Sequence, residues 1–202
     1  MSNLTTAVKN LLIINIIVFL GTELIGNPMY EWFALFPFGS PYFHWWQFIT
    51  HMFMHGGFGH IFFNMWSLVV FGPTLERMWG PKKFLLFYFV CGLGAALCHE
   101  LVLYYFVHGA LNVPTVGASG AIYGLLLGFG MLYPNITLTL VFPPISMKAK
   151  WFVVIFAVIE LVTGILGTHD GVAHFAHLGG MLFGLILILI WKKKGEMYTE
   201  WQ

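Results

Sequence analysis

Apolar runs recur near residues 8–25, 59–78, 83–107, 119–133, 150–168 and 172–191. The longer ones approach the roughly 20 residues that cross a bilayer core. A water-soluble fold of 202 residues could not hide them all, since 59% of the chain is hydrophobic and 8% is charged. A soluble domain carries about a quarter charged residues. Disordered, fibrous and disulfide-scaffold classes are excluded, and no basic block points to a nucleic-acid partner. The expectation is an all-α membrane protein, a six-transmembrane-helix bundle forming a single domain over 1–202. No internal repeat is visible.

Helix breakers fall between these spans, at Pro81, Pro134, Pro143 and Pro144. The segment 26–58 is aromatic but broken by Pro28, Pro37 and Pro41. It is expected at the membrane interface, where Trp and Tyr are favoured. The connection 134–149 is read the same way. Leu11–Leu20 lacks a small-residue cleavage site after it and reads as a retained first span, not a signal peptide. Cys91 and Cys98 lie seven residues apart in one run, about 10 Å along a helix and too far for a disulfide. Lys9, Arg77, Lys82, Lys83, Lys148, Lys150 and Lys192–Lys194 all fall on one side of a six-span topology. That side is expected to be cytoplasmic, with both termini there.

Ionisable and polar groups inside a bilayer are costly and so are candidates for function. His55 precedes span 2, and His60 and Asn64 share one face of its first turns. Ser119 opens span 4, with Tyr123 one turn later. His177 lies about two turns into span 6 if that helix begins near Gly171. Spans 2, 4 and 6 all run inward from the outer side, so these groups share one level in the outer half of the membrane. Gly120, Gly124 and Gly128 stripe span 4, and Gly180 and Gly184 share a face with His177. Such stripes let helix backbones approach closely. A close contact of spans 4 and 6 would bring Ser119 to His177.

A serine beside a histidine can act as nucleophile and base. The single Asp, Asp170, is not expected to reach the far side of His177, whereas Tyr123 can pack on its ring. The expectation is therefore a Ser–His dyad rather than a triad. The Ser119 N–H at a helix start, the His60 imidazole and the Asn64 amide are candidate oxyanion donors.

The combined run His55-x4-His60-x3-Asn64, Gly117-x-Ser119-Gly120 and His177-x-x-Gly180-x-x-x-Gly184 resembles the rhomboid intramembrane serine proteases, in their six-span bacterial form. The resemblance implies a six-helix fold with an interfacial first outer loop and a short span 4 starting at the nucleophile. It implies Ser119 and His177 as the dyad, and His60, Asn64 and the Ser119 amide as oxyanion groups. His55, Tyr123, Gly117 and Gly120 support them. Glu76 to Gly80 is similar to the family's Glu-x-x-x-Gly pattern. Trp46-Gln47 departs from its Trp-Arg, which weakens any role assigned to an arginine there. His174 is a second histidine near the base, but only His177 precedes the Gly-x-x-x-Gly spacing.

The implied function is cleavage of single-span transmembrane substrates near their outer boundary, through an acyl-enzyme. Lipid is the surrounding partner, and no cofactor or metal is called for. A bacterial inner membrane is the expected location. The competing reading, a haem or metal site on some of the nine histidines, leaves Ser119 and its glycines unexplained. His99, Glu100 and Glu160 are expected to satisfy one another or backbone groups. His44, His108 and His169 are expected to be interfacial or solvated, and His51 structural.

Overall fold

The computed structural model describes residues 4–107, 112–140, 144–167 and 173–197. His108, Pro143, His169, Asp170 and Gly171 lie outside the described residues, and so do the expectations placed on them.

The first helix, α1 (Thr6–Ile25), buries Ala7, Val8, Leu11, Asn15 and Thr22. Their spacing traces one face. Ile17, Leu20 and Leu24 are exposed on its other sides, as lipid-facing residues would be. Short helices α2 (Asn27–Phe33) and α3 (Gln47–Thr50) and a 3-10 turn (His51–Phe53) follow.

The longest helix, α4 (Phe58–Phe106), is two arms. Its backbone leaves helical geometry at Gly80, with φ 73° and ψ 161°. A side chain there would be strained. Pro81 then starts the second arm, where its missing N–H costs nothing. A straight helix would hold residues 72 and 84 about 18 Å apart. Instead the Phe84 ring lies 3.6 Å from the Cβ position of Gly72, so the arms fold back on each other. Glu76 explains the other end of that motif. Its carboxylate accepts the N–H groups of Ala7 and Val8, both at 2.9 Å, and the Thr5 hydroxyl. It thus satisfies the free donors and the positive end of α1.

Helix α5 (Ser119–Leu132) runs through the middle of the bundle and is largely buried. Two three-residue strands, β1 (Thr137–Thr139) and β2 (Ser146–Lys148), pair antiparallel with Leu138 opposite Met147. Both of these pack on the core while their neighbours face out. The connection 134–149 therefore contains a hairpin, a departure from the purely helical expectation. Two outer helices, α6 (Ala149–Leu166) and α7 (His174–Lys193), complete the fold.

Among the described residues, four helices are long and apolar enough to cross a membrane, namely α1, α4, α6 and α7, and α5 is a shorter apolar helix. Aromatic rings fill the end of the bundle beside the Gly80 turn. Trp79 packs on Phe87 and Trp191, with centroids at 4.8 and 5.3 Å. The Lys83 ammonium sits 4.3 Å over the Trp191 ring. The Tyr133 hydroxyl reaches Met78 at the same end. The basic ends of α4's turn and α7 are thus gathered together, away from Ser119 and His177.

Candidate active site

Ser119 is the first residue of α5, and the chain enters it through Gly117 at φ 127°. That glycine is required twice over. A Cβ at Gly117 would sit 2.8 Å from His60 Nε2, and 3.6 Å from Ser119 Oγ. His60 Nε2 and the serine oxygen therefore flank one carbon-sized position. The approach is fixed from the outer segment. Leu35 and Thr115 exchange two backbone hydrogen bonds, and the Gly117 N–H donates to the His51 carbonyl.

The 26–58 segment is an ordered cap. Gln47 is fully buried and saturates all four of its hydrogen-bonding positions. It donates to the carbonyls of Glu31 and Tyr42 and accepts from the N–H groups of Phe36 and His44. Trp32, His44 and Trp46 stack beside it. Nothing in the sequence marks Gln47 for this role, and an arginine in its place would bring donors only. His51 Nδ1–H donates to the Gln47 carbonyl at 2.8 Å. Burial pushes His51 down to about 4. Burial, with His60 beside it, pushes His55 to about 4. His55 is wholly buried, 5.1 Å from the His60 ring and roughly perpendicular to it.

The centre of the site is Ser119 and His177. His177 Nε2 lies 2.8 Å from Ser119 Oγ. Tyr123 stacks on the imidazole at 4.2 Å between centroids and 7° between planes. Helix α7 begins at His174, not near Gly171, so His177 sits in its first turn rather than two turns in. The glycine seam sets this distance. A side chain at Gly180 would run into the Gly120 carbonyl, and one at Gly124 would meet Cys91 and lie 3.2 Å from the Gly180 carbonyl. Gly184 approaches Gly124, and Gly128 receives Phe87 and Trp79. Cys91 and Cys98 are free thiols packed against Gly124 and Gly179.

Asn64 is buried, and its amide donates to the His60 carbonyl at 2.9 Å. That leaves it one further hydrogen to give. Gly56 N–H donates to His60 Nδ1 at 3.4 Å, which leaves Nε2 toward Ser119 as the protonated nitrogen.

Among the buried acids, Glu100 accepts a backbone group as expected, the Phe38 N–H at 3.0 Å, and the expectation is corrected for Glu160. Glu160 meets neither Glu100 nor His99. Its carboxylate accepts the Tyr123 hydroxyl, lies 2.6 Å from His174 Nδ1, and stands 3.0 Å from His177 Nδ1. A carboxylate thus faces the far side of His177, and it comes from α6. Its isolation in the apolar run 150–168 was the available signal. His174 turns to Glu160, while Ser119 bonds His177. Among the described residues, no three His, Cys, Asp or Glu side chains converge as a metal site.

An imidazole bonded to a serine hydroxyl, inside a bundle of membrane-type helices, is an arrangement that serine-type hydrolases use. Comparison with known proteins gives the same class. Residues 42–194 match the Rhomboid domain family model. The chain is 32% identical over 154 residues to the rhomboid YdcA of Bacillus subtilis (strain 168), covering 75% of this chain and 70% of that one. It is 29% identical to rhomboid protease AarA of Providencia stuartii, covering 71% and 54%. It is 32% identical to rhomboid-type serine protease 2 of Emericella nidulans, covering 71% and 26%. The chain spans about half or less of the last two. It belongs to the rhomboid family and is a serine-type protease.

Proposed function

We propose that the protein is an intramembrane endopeptidase in which Ser119 is the nucleophile and His177 the general base. The observation that carries this is the 2.8 Å contact of His177 Nε2 with Ser119 Oγ, held under the Tyr123 ring. Nε2 takes the hydroxyl proton as Oγ bonds to the scissile carbonyl carbon. The oxyanion that forms is stabilised by the Ser119 N–H, free at the helix start, and by donors from His60 and Asn64. The C–N bond then breaks, and Nε2 returns the proton to the leaving amine. Water repeats the cycle on the acyl-enzyme.

The two arms of α4 and the short α5 support six crossings. At 14 residues α5 is about 21 Å long, less than a bilayer core of about 30 Å. Ser119 at its start would therefore lie below the membrane surface if its other end reaches the inner face. The basic end of the bundle would be cytoplasmic and the Ser119 end extracytoplasmic. A bacterial inner membrane suits this form.

A substrate helix hides its carbonyls in hydrogen bonds and must be received locally unwound. Single-span proteins with small or helix-breaking residues near their outer boundary are the substrates this favours. An apolar groove of about 420 Å³, lined by Leu127 of α5, Val154 and Val158 of α6, and Leu178 and Leu182 of α7, is a route for them from lipid.

The test is independent of substrate. The detergent-purified protein is treated with a fluorophosphonate and the adduct located by mass spectrometry. An adduct on Ser119 that vanishes in His177→Ala is expected. Folded protein that forms no adduct would overturn the reading.

A further inference from the structure

Helix α6 buries only four side chains, Ala149, Phe152, Val153 and Glu160. The rest of it presents Val154, Ile155, Val158, Leu161, Val162 and Ile165 outward. A carboxylate is an expensive group to bury on such a helix. Glu160 is only 5% exposed. Its two oxygens divide between neighbours. Oε2 lies 2.6 Å from His174 Nδ1. Oε1 accepts the Tyr123 hydroxyl and stands 3.0 Å from His177 Nδ1, off the line of a straight hydrogen bond. The opposite nitrogen of the same ring contacts Ser119 Oγ at 2.8 Å. One imidazole therefore bridges a serine hydroxyl and a carboxylate. Tyr123 grips both partners of the bridge, its ring on His177 and its hydroxyl on Glu160.

To take a proton at Nε2, neutral His177 must carry its own proton on Nδ1. What faces Nδ1 decides that tautomer. A stacked ring cannot do so, but an acceptor oxygen can. An ionised carboxylate there would also steady the imidazolium that forms when Ser119 attacks. We propose that Glu160 is a positioning residue of the catalytic site, which selects the Nδ1–H tautomer of His177 and stabilises its protonated form during acylation. Glu160 stays ionised throughout, and the serine proton moves only to Nε2 and on to the leaving amine.

This rests on the Ser119–His177 reading, and the test separates the two. Ser119 labelling by a fluorophosphonate is timed, and kcat and KM are measured on a single-span model peptide with small residues near its outer end. Glu160→Gln keeps the shape and an acceptor for Tyr123 but removes the charge. The expected result is a fall of about 10–100-fold in labelling rate and kcat, with KM unchanged, smaller than the roughly 10²–10⁴-fold of a general base because Glu160 acts only through His177. Glu160→Asp, which restores the charge at shorter reach, is expected to recover part of it. Tyr123→Phe, which frees Oε1 but keeps the ring stack, is expected to lower kcat by a smaller factor and guards against a Gln variant that does not fold. Folded Glu160→Gln that labels and turns over at the parent rate overturns the proposal. So does a loss confined to KM or thermal stability, equal in the Gln and Asp variants. If Ser119→Ala retains cleavage, the dyad itself is at fault. If Ser119 and His177 are needed and Glu160 is not, only this proposal fails.

Discussion

Beside α4, the helices α7 and α6 both pack on α5, and they hold it in different ways. Against α7 the contact is backbone on backbone, with Gly180 seated at the Gly120 carbonyl and Gly184 against Gly124. Against α6 an apolar groove lies open and few side chains are buried. Both helices nevertheless contribute to one imidazole. Helix α7 carries His177, and α6 brings a carboxylate to it. The seam with α7 has no slack, so the Ser119–His177 distance is built into the fold. The attachment of α6 to α5 is close only at its first turn, where Ala149 and Val153 meet Gly130, and the rest of the helix cannot move away without breaking the contacts of Glu160.

The hardest blow to this picture would come from the α7 side. Ser119→Ala and His177→Ala are each expected to lower cleavage by about 10⁴-fold or more, with the fold intact, because loss of either member stops the proton transfer. Cleavage assays with thermal unfolding as the control read this out. A purified variant with substantial activity would detach the glycine seam from any catalytic purpose.

The asymmetry between the two helices is tested by a pair of substitutions. Gly180→Val drives a branched side chain into the Gly120 carbonyl, where backbone cannot yield. It is expected to cost at least about 1–3 kcal/mol and to remove most activity by separating Ser119 from His177. Val162→Leu on the outer face of α6, 47% exposed, is expected to leave activity within about twofold. Equal damage from both, by activity and unfolding midpoint, would show that α6 is packed as tightly as α7.

These helices also show what a sequence can convey. The seam was legible because glycines at i, i+4 spacing have one physical use in lipid, and the same spacing joined His177 to it. The start of α5 at Ser119 and the break at Gly80 were marked by glycine and proline. Glu160 was present as a lone acid in an apolar run, but its partners come from α5 and α7, far along the chain. Only the assembled bundle shows that Glu160 points at His177 and not at His99 or Glu100. Gln47 was opaque for the same reason. Its four partners lie within sixteen residues, yet they meet only after the cap has folded. The hairpin at 137–148 was hidden by length, since three-residue strands carry too little alternation to read.

On the third side of the site stands the first arm of α4. His60→Ala is expected to slow turnover by about 10²–10³-fold, the usual effect of removing one oxyanion donor. Asn64→Ala should cost less, because that amide already gives one hydrogen to the His60 carbonyl. Steady-state kinetics with KM unchanged would support both. An Asn64 variant slower than the His60 variant would reverse their order of importance.

The last expected effect concerns the cap and not the helices. His51 has its pKa lowered by burial from 6.5 to about 4. The unfolded chain therefore binds more protons than the folded one between those values. Stability from a neutral His51 is complete above about pH 6.5 and is lost as pH falls toward 4. For this one group the loss at pH 5 is about 2 kcal/mol, a few degrees of unfolding midpoint. His55, lowered in the same way, adds in the same direction. His51→Asn keeps a donor for the Gln47 carbonyl but does not titrate, so its midpoint should fall less between pH 7.5 and pH 5. Parallel slopes for variant and parent would mean that His51 is as solvated in the folded cap as in the unfolded chain. The cap would then be a loose cover, closer in character to α6 than to the seam.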